Sequence, residues 1–324
     1  MKKILITGVS GQDGIFLTSK ILQHNENIEI YGITRKEKTK DITKNILSLD
    51  NKVDIQKLSF INVDFSNFES AHSLINNLKP HSIFNLMGPS SVYESLNNKD
   101  YYEKNLVESF KNISKSILIN NLDTKIIQAS SSEMFDVSIS PLNENSLMKP
   151  RNPYSECKFN IHKMSGIYRK QEGLNVVSAI MFNHESEFRN KDFLIKKIIS
   201  TALDIKLKNQ NKLIVGSLDY VRDWSFAGDV IDGLLLMEND ENLDDYVIGS
   251  GVGSTIKQIV EIVFSKVNLD WQEHLEIDES LLRKNDPITI IADPSKIMNK
   301  LSWKPKYNIE MILERCIDKF EITN

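Results

Sequence analysis

A short strand, three glycines and a helix follow one another at the start of this chain. The apolar run at residues 4–7 leads directly into Gly8, Gly11 and Gly14, and apolar residues at helical spacing come next. Glycines at such a turn let the backbone approach a pyrophosphate, whose charge then lies at the helix N-terminus. The spacing differs by one residue from the G-x-G-x-x-G of dinucleotide-binding folds. The stretch predicts a dinucleotide site; a plain strand-turn-helix is the alternative.

Predicted strands and helices alternate through the next 150 residues. We expect strands near 28–34, 58–63, 82–86, 124–129 and 176–180, and helices near 67–78 and 100–120. Alternation of this kind indicates a parallel sheet covered by helices on both faces. Strands become sparser after about residue 185. We therefore predict an α/β fold, with a Rossmann-type doubly wound parallel sheet and the catalytic residues in 1–185. A smaller, mixed α/β part for the substrate is expected in 186–324.

Charge and cysteine content restrict the class of protein. The net charge is −4, which gives no electrostatic footprint for nucleic acid. Cys157 and Cys316 are the two cysteines and lie far apart in sequence, which fits a reducing compartment. No apolar run approaches the roughly 18 residues of a membrane span, and the first one is too short for a signal peptide. We predict a cytoplasmic protein with no nucleic-acid or membrane partner.

A phenol and an ammonium are expected on one face of a helix. Tyr154 and Lys158 are four residues apart, Asn152 suits the N-cap and Pro153 suits the first helical position. A phenol has an ordinary pKa of about 10 and is a poor base at neutral pH, but a nearby ammonium favours its ionised form. Tyr154 would then accept the proton of a sugar hydroxyl. An ordinary amphipathic helix is the alternative, because Y-x-x-x-K is common by chance.

A hydroxyl and a carboxylate precede that helix. The strand near 124–129 runs into S-S-S-E, and alternation along an extended chain would point Ser131 and Glu133 to the same side. The segment therefore offers a hydroxyl, a carboxylate, a phenol and an ammonium that a fold can bring to one reacting carbon. Cys157 would point away from the Tyr154–Lys158 face, so we expect it to pack and not to react.

The end of the second predicted strand bears on the dinucleotide. An acidic residue there would bind the adenosine ribose 2′-hydroxyl, but this chain has Arg35 followed by Lys36. An arginine at this position suits a 2′-phosphate and favours NADP over NAD. A solvated basic loop is the alternative, since Lys38 and Lys40 follow.

Several motifs together resemble one family. They are G-V-S-G-Q-D-G, Q-A-S-S-S-E, N-P-Y-S-E-C-K, M-F-N-H-E-S, L-D-Y-V-R-D-W and A-D-P-S-K with L-S-W-K-P. In order and spacing they look like GDP-mannose 4,6-dehydratases, which are extended short-chain dehydrogenase/reductases, from the first strand to about residue 320. The glycines and Y-x-x-x-K mark only the superfamily. Glu133 indicates a smaller group within the superfamily, although UDP-glucuronate decarboxylases also carry a glutamate there. The combination of N-H-E-S with R-D-W is the part of the resemblance that is specific to the family.

The resemblance implies a role for each matching position. Four residues would be catalytic. Glu133 would be the base, Tyr154 and Lys158 would carry out the redox step, and Ser131 stands where the family has a threonine. The cofactor positions would be Gly8, Gly11, Gln12, Asp13, Gly14, Arg35, Asp64, Phe65, Leu86, Met87, Gly88, Ser90, Tyr101, Lys158, His184 and Arg189. The substrate positions would be Ser90, Asn183, Lys197, Arg222 and Arg283. Arginine suits a diphosphate because its fork binds phosphate oxygens in pairs. No metal ligand is among the candidates.

Three departures from the family pattern leave the sugar open. Phe135-Asp136 stands where the family has Tyr-Gly, Gly88–Ser91 replaces A-Q-S-H, and Glu187-Phe188 replaces Pro-Arg. A GDP-manno-heptose competes with GDP-mannose as the substrate for this reason.

The resemblance implies a lyase that retains NADP, yields a 4-keto-6-deoxy sugar nucleotide and works as a homodimer or homotetramer. Two other hypotheses stay open. One is a C4 reductase, epimerase or C4 oxidase of the same superfamily, acting on a sugar nucleotide. The other is a dinucleotide-binding regulator without turnover, whose expected mark would be the loss of Tyr154 or Lys158; both residues are present.

Overall fold

The computed structural model describes residues 1–24, 27–34, 38–282 and 287–323, with side chains up to residue 319 in the last range. Two compact units make up the chain. The first consists of Met1–Asp136, Ser146–Met181 and Ile231–Tyr246, and the second of Val137–Asn145, Phe182–Val230 and Val247–Asn324. The units interleave along the sequence, whereas the predicted division after residue 185 gives two continuous stretches. That the first stretch serves the dinucleotide and the second the substrate stays a prediction.

The strands are short, from two to seven residues. In chain order they are β1 (Lys2–Thr7), β2 (Ile28–Ile33), β3 (Leu58–Ile61), β4 (Ser82–Asn85), β5 (Lys125–Ser131), β6 (Val176–Met181), β7 (Asn183–Glu185), β8 (Leu213–Val215), β9 (Val221–Phe226), β10 (Tyr246–Ile248), β11 (Gly253–Thr255), β12 (Leu275–Ile277) and β13 (Thr289–Ile290). The strands expected in the first half of the chain are all present.

The helices vary from one turn to five. They are α1 (Gln12–His24), α2 (Thr39–Leu49), α3 (Phe68–Leu78), α4 (Val92–Ser95), α5 (Lys99–Tyr102), α6 (Ser109–Ile119), α7 (Pro153–Gln171), α8 (Leu194–Lys206), α9 (Ala227–Asn239), α10 (Ile256–Lys266), α11 (Trp271–His274), α12 (Ser295–Leu301) and α13 (Ile309–Thr323). A π-helical segment, Glu103–Glu108, joins α5 to α6, and a 3₁₀ turn, Ser132–Met134, follows β5. Within the described part of the chain, no helix combines the length and apolar character needed to cross a bilayer.

The largest sheet has seven strands in the spatial order β10-β6-β5-β4-β1-β2-β3. The five neighbouring pairs from β6 to β3 are parallel. An order that reverses between β1 and β4 is that of doubly wound dinucleotide-binding folds, in which ligands bind beyond the carboxyl ends of the strands. The predicted fold class is confirmed.

One hydrophobic core of the first unit connects this sheet to three helices. Leu5, Ile83, Ile126 and Val176 contribute from the strands. Buried residues of α3, α6 and α7 complete it, namely Ala71, Ile75, Leu78, Phe110, Ile113, Ile117, Tyr154, Cys157 and Ile161. Cys157 is a free, buried thiol within this core, as expected of a packing residue. Because Tyr154 belongs to the same core, the packing of α7 fixes its position.

The second unit has two smaller sheets of mixed direction. β7 and β13 each run parallel to β9, whereas β11 is antiparallel to it. β8 and β12 form a separate parallel pair. Buried Asp223 on β9 accepts hydrogen bonds from the backbone N–H groups of Ser250, Gly251 and Ala292. These bonds join the loops around β9 into one framework.

Candidate active site

The glycine loop, which leads from β1 into the first turn of α1, has no room for a side chain at Gly8 or Gly14. Gly8 has a φ of +72°, and a Cβ atom there would lie 2.9 Å from the Leu86 carbonyl oxygen. A Cβ atom at Gly14 would lie 2.5 Å from the Val9 Cα atom. The Gly11 N–H donates to the Gly8 carbonyl, 3.0 Å away, and α1 begins at the next residue. The loop is thus a tight turn that presents the N-terminus of a 13-residue helix, as a pyrophosphate site requires.

A buried polar chain holds the loop after β4 against this glycine loop. The Thr7 hydroxyl donates to the Asn85 Oδ1 atom over 2.8 Å and accepts the N–H groups of Leu86 and Met87 at 3.1 and 3.2 Å. The Asn85 amide in turn donates to the Gln128 Oε1 atom at 2.6 Å. The chain joins the carboxyl ends of β1 and β4 to Gln128 in the middle of β5. It places the predicted cofactor positions Leu86 and Met87 beside Gly8, and sequence reasoning did not find it.

The other predicted cofactor positions of this unit lie around the same edge of the sheet. Asp64 follows β3; the hydroxyl and N–H of Ser66 donate to its carboxylate and lower its pKa. Phe65 is buried in the core. Gly88 has a φ of +119°, and a Cβ atom there would come within 2.2 Å of the Leu106 side chain in the π-helical segment. Ser90 and Tyr101 are exposed.

Tyr102, the neighbour of Tyr101, contacts Tyr154. Its ring meets that of Tyr154 edge to face, with the ring centres 6.3 Å apart. Its hydroxyl donates to the Ser91 carbonyl over 2.6 Å, which ties the loop after β4 to α5. The sequence offers no signal for this contact, because Tyr101 and Tyr102 are adjacent in one helix, α5, and only packing decides which ring turns inward.

Ser131 and Glu133 are close together, but not for the expected reason. Ser131 is buried at the end of β5, and Glu133 lies in the 3₁₀ turn that follows. The Glu133 N–H donates to the Ser131 hydroxyl oxygen at 3.3 Å. We expected an extended chain to point both side chains to the same side, and the extended conformation is wrong, since the chain enters a 3₁₀ turn at Ser132. The turn itself keeps the carboxylate residue next to the hydroxyl residue.

The first turn of α7 is fixed by a reciprocal cap. The Asn152 side chain accepts the Ser155 N–H at 2.9 Å, and the Ser155 hydroxyl accepts the Asn152 N–H at 3.0 Å. Pro153 occupies the first helical position. The predicted N-cap and proline positions are confirmed. Tyr154 therefore sits in a turn whose backbone is locked before any ligand binds.

Tyr154 and Lys158 are both buried, and the lysine is anchored to β5. Its ammonium nitrogen lies 5.8 Å from the centre of the Tyr154 ring and donates to the Ala129 carbonyl over 2.8 Å. Burial lowers the pKa of Lys158 to about 8, against the smaller opposing effects of Cys157 and of Asp13 in the first turn of α1. A positive charge beside a phenol favours the phenolate.

An arginine that sequence reasoning passed over lies next to Glu133. The Arg151 Nη2 atom is 3.5 Å from the Glu133 Oε2 atom. The two residues are 18 positions apart. They meet because the segments on either side pair, with Asp136 N–H donating to the Leu147 carbonyl and Lys149 N–H to the Met134 carbonyl.

The remaining candidates belong to the second unit. Asn183 is exposed on β7, and the Nδ1 atom of buried His184 lies 2.8 Å from the Phe182 carbonyl oxygen, to which it donates. Arg189 forms an ion pair with Glu185 at 3.6 Å, and its guanidinium stacks on the Phe193 ring.

Two predicted diphosphate ligands make bonds within this unit. Lys197 donates to the Ile214 carbonyl over 2.9 Å. Arg222 donates to the carbonyl groups of Val221 and Ile288 at 2.9 and 3.1 Å. Arg35 and Arg283, the other predicted arginines, lie outside the described residues.

Two of the departures from the family pattern have clear structural roles. Phe135 is fully buried and pairs with Met148 across the loop after Glu133. Glu187 forms a two-fold ion pair with Arg315 of α13, with oxygen–nitrogen distances of 2.6 and 3.1 Å. Its side chain is 4% exposed. Both residues act in the packing of their own unit.

Comparison with known proteins identifies a family and a shared fold. The family described as GDP-mannose 4,6 dehydratase matches residues 5–316. GDP-mannose 4,6 dehydratase 1 of Arabidopsis thaliana is 32% identical over 98% of this chain and 89% of its own length. Two solved structures share the fold at 18% identity. The dTDP-glucose 4,6-dehydratase DesIV from Streptomyces venezuelae, with NAD bound, has a TM-score of 0.84 and covers 99% of this chain and 97% of its own. The UDP-glucose 4-epimerase from Thermotoga maritima has 0.83 and covers 99% of each chain.

Proposed function

The chain belongs to the GDP-mannose 4,6 dehydratase family, and we propose that it converts a GDP-sugar to the GDP-4-keto-6-deoxy sugar with a retained NADP. The observation that carries this proposal is the placement of a carboxylate, Glu133, two residues after Ser131 at the strand end that also anchors Lys158. An enzyme that only oxidises and reduces needs the hydroxyl, the phenol and the ammonium. An elimination also needs a base.

The residues present fit a dinucleotide. Gly8 and Gly14 keep the turn into α1 tight, because a Cβ atom at either position would meet the backbone of Leu86 or Val9, and the N-terminus of α1 suits a pyrophosphate. The cofactor positions carried over from the family would be Leu86, Met87, Gly88, Asp64, Phe65, Ser90 and Tyr101, together with His184 and Arg189. NADP, when bound, supplies the hydride acceptor for C4 and the hydride donor for C6. The preference for NADP over NAD rests on Arg35 and thus on the sequence.

Tyr154 performs the first proton transfer. Its phenolate takes the proton of the C4 hydroxyl as C4 loses hydride, which leaves a ketone. Lys158 stabilises the phenolate by its charge, and the Ala129 carbonyl, which accepts from its ammonium, holds that charge in place. The Ser131 hydroxyl orients the sugar oxygen. General acid–base assistance of this kind contributes about 10²–10⁴-fold per group.

Glu133 performs the second proton transfer. The C4 ketone acidifies the C5–H bond, and Glu133 takes that proton while a C5=C6 double bond forms. The C6–O bond breaks, and the hydroxide leaves as water with the proton from Glu133 or through Ser131. C6 then gains hydride and C5 gains a proton, which balances the proton that Tyr154 removed from O4. The sum of the steps is the loss of one water.

The identity of the sugar is the open part of the proposal. Ser90, Asn183, Lys197, Arg222 and Arg283 are proposed to bind the nucleotide sugar, with the arginines on the diphosphate. GDP-mannose is the first candidate and a GDP-manno-heptose the second. The structural likeness to an epimerase at 18% identity shows the shared fold alone.

Incubation with a panel of GDP-, UDP- and dTDP-linked hexoses and heptoses tests this proposal. The expected result is a product lighter by one water from a GDP-sugar, without net consumption of added NADPH. A reductase would consume NADPH in proportion to product, and an epimerase would give a product of unchanged mass. Either outcome would replace the dehydratase with the corresponding alternative.

Assembly and location complete the proposal. We expect a homodimer or homotetramer, which sedimentation of the purified protein would measure. A cytoplasmic location is supported by the two free, buried cysteines, Cys157 and Cys316, because a reducing compartment keeps thiols free.

A further inference from the structure

We propose that Arg151 is a positioning residue for Glu133: its guanidinium holds the carboxylate where it can take the C5 proton. The inference rests on the proposed function, in which Glu133 is that base. It starts from the 3.5 Å distance between Arg151 Nη2 and Glu133 Oε2. Arginine stays charged at all relevant pH values and has no acceptor, so Arg151 acts through Glu133 and not on the proton itself.

The backbone of Arg151 is fixed to the helix that carries the other catalytic groups. Its N–H donates to the Ser155 hydroxyl oxygen over 2.9 Å. The same oxygen accepts the N–H of the N-cap residue Asn152. Arg151 therefore cannot move without disturbing the first turn of α7, where Tyr154 lies.

The backbone of Glu133 is fixed from the other side. It belongs to the 3₁₀ turn at the end of β5. The chain on both sides of the Glu133–Arg151 loop is paired by two bonds, Asp136 N–H to the Leu147 carbonyl at 2.7 Å and Lys149 N–H to the Met134 carbonyl at 2.8 Å. The ion pair thus connects two rigid elements, one with the base and one with the phenol.

The guanidinium is enclosed in a way that strengthens its attraction to Glu133. Its Nε and Nη1 atoms are buried, and among the residues that the structure describes they have no hydrogen-bond partner. The side chains of Arg151 and Glu133 are only 23% and 21% exposed. Solvent screens such a pair less than a surface pair, and an enclosed cation without its anion is unfavourable. The carboxylate is therefore drawn to one position.

That constraint matters because the base must meet one C–H bond. A displacement of about 1 Å in a catalytic geometry can cost about 10²-fold in rate. Each of the two proton transfers would then have a base that is paired with a cation. Lys158 would stabilise the Tyr154 phenolate that acts at C4, and Arg151 would hold the Glu133 carboxylate that acts at C5. A purely structural ion pair that only closes the loop is the competing explanation.

Separate assays of the two half-reactions distinguish these explanations. GDP-mannose is the probe, or GDP-manno-heptose if that is the sugar which loses water in the panel. C4 oxidation in the first turnover is followed by the absorbance of the reduced nicotinamide. Elimination is followed by deuterium uptake at C5 from heavy water, and folding by thermal unfolding.

Arg151→Met should leave C4 oxidation within about 3-fold and lower C5 exchange by about 10- to 100-fold, so that the reduced nicotinamide accumulates. Arg151→Lys keeps the charge without the two-pronged guanidinium, so its rate of C5 exchange should lie between those of Arg151→Met and the unmutated protein. It replaces Arg151→Met in the test if that variant does not fold. Exposed Lys149 lies in the same segment, and Lys149→Met, the matched control, should change neither step.

The double variant Arg151→Met/Glu133→Gln should be no slower in elimination than Glu133→Gln alone, since the effects of two residues that act as one unit are not additive.

Equal losses in both half-reactions, additive losses in the double variant, or unchanged C5 exchange in Arg151→Met would each overturn the inference. The proposed function fails separately, when Glu133→Gln still eliminates water at near the unmutated rate. If Glu133→Gln abolishes elimination and Arg151→Met does not affect it, only the role of Arg151 is wrong.

Discussion

The ammonium of Lys158 lies 5.8 Å from the centre of the Tyr154 ring and is bonded to the carbonyl of Ala129 at 2.8 Å. The lysine thus connects α7 to β5, the strand that ends in Ser131. Burial makes this charge costly, which is why its pKa falls to about 8. In the proposed mechanism this buried charge stabilises the Tyr154 phenolate, which gives a reason for a lysine at this position.

Lys158 should therefore make stability depend on pH in a defined window. Its pKa is about 8 in the folded chain and 10.5 as the ordinary value, so between these values the unfolded chain binds more protons. Stability from this group rises with pH across the window, and the full cost is present below about pH 8. Relative to Lys158→Met, the unmutated protein should gain about 2 kcal/mol of unfolding free energy between pH 7 and pH 10.

Urea unfolding of both proteins at several pH values measures this difference. Lys163→Met is the control, because Lys163 is exposed on the same helix and should show no such gain. A difference between Lys158→Met and the unmutated protein that stays constant with pH would contradict the burial of a charged lysine.

Alanine should weaken cofactor binding at one glycine, Gly14, and increase the stability of the protein at another, Gly166. At Gly14 a Cβ atom would lie 2.5 Å from the Val9 Cα atom, so the loop backbone must move. Gly14→Ala should lower NADP affinity by at least about 10-fold, or about 1.4 kcal/mol. At Gly166, inside α7, nothing lies within 4 Å of the added atom, and Gly166→Ala should stabilise the protein by about 0.5–1 kcal/mol.

Titration calorimetry with NADP and thermal unfolding test the pair. Unchanged cofactor affinity in Gly14→Ala would show that the glycine loop does not bind the pyrophosphate.

Arg35 should determine the choice of cofactor. Since it follows the second strand where an acid would select NAD, NADP should bind at least about 10-fold more tightly than NAD, about 1.4 kcal/mol. Arg35→Ala should remove most of that preference by weakening NADP alone. Exposed Lys52→Ala is a control for the loss of one charge. Equal affinities for the two dinucleotides in the unmutated protein would refute the assignment.

Arg222 should act on the substrate and not on the cofactor. It lies on β9 with its guanidinium 5.1 Å from the centre of the Tyr220 ring, and its fork suits a diphosphate. Arg222→Ala should weaken binding of GDP by about 10-fold or more and leave NADP binding unchanged. Lys266→Ala, at an exposed ion pair of the same unit, should affect neither. If GDP affinity in Arg222→Ala is that of the unmutated protein, Arg222 is not a ligand of the diphosphate.

The parts of the site that follow local rules could be predicted from sequence. Asn152 and Pro153 mark a helix start by their own chemistry, so the position of Tyr154 and Lys158 followed. The alternation of strands and helices, which also shows in local sequence patterns, predicted the doubly wound sheet. These signals need only neighbouring residues.

The parts that depend on tertiary pairing could not be predicted. The Thr7–Asn85–Gln128 chain requires three strands to be adjacent, and one sequence gives no register between them. Arg151 reaches Glu133 only because a loop folds back. The rule that side chains alternate along a strand failed at Glu133 because the chain leaves the extended conformation at Ser132. The run S-S-S-E does not show where the strand ends and the turn begins.

The central claim is that Glu133 takes the C5 proton. Glu133→Gln keeps the size of the side chain and removes the base, whereas C4 oxidation needs Tyr154, Lys158 and a hydroxyl such as that of Ser131. The variant should still produce the absorbance of reduced nicotinamide, which should build up and persist. Elimination should fall by about 10²–10⁴-fold. Tyr154→Phe, the matched control, should lose the absorbance change as well.

The most direct measurement is deuterium incorporation at C5 from heavy water during a single turnover of Glu133→Gln, followed together with release of the 6-deoxy product. Both should be lost in this variant while the reduced nicotinamide accumulates. Deuterium uptake and product release at near the unmutated rate would show that elimination does not depend on Glu133 and would contradict the mechanism.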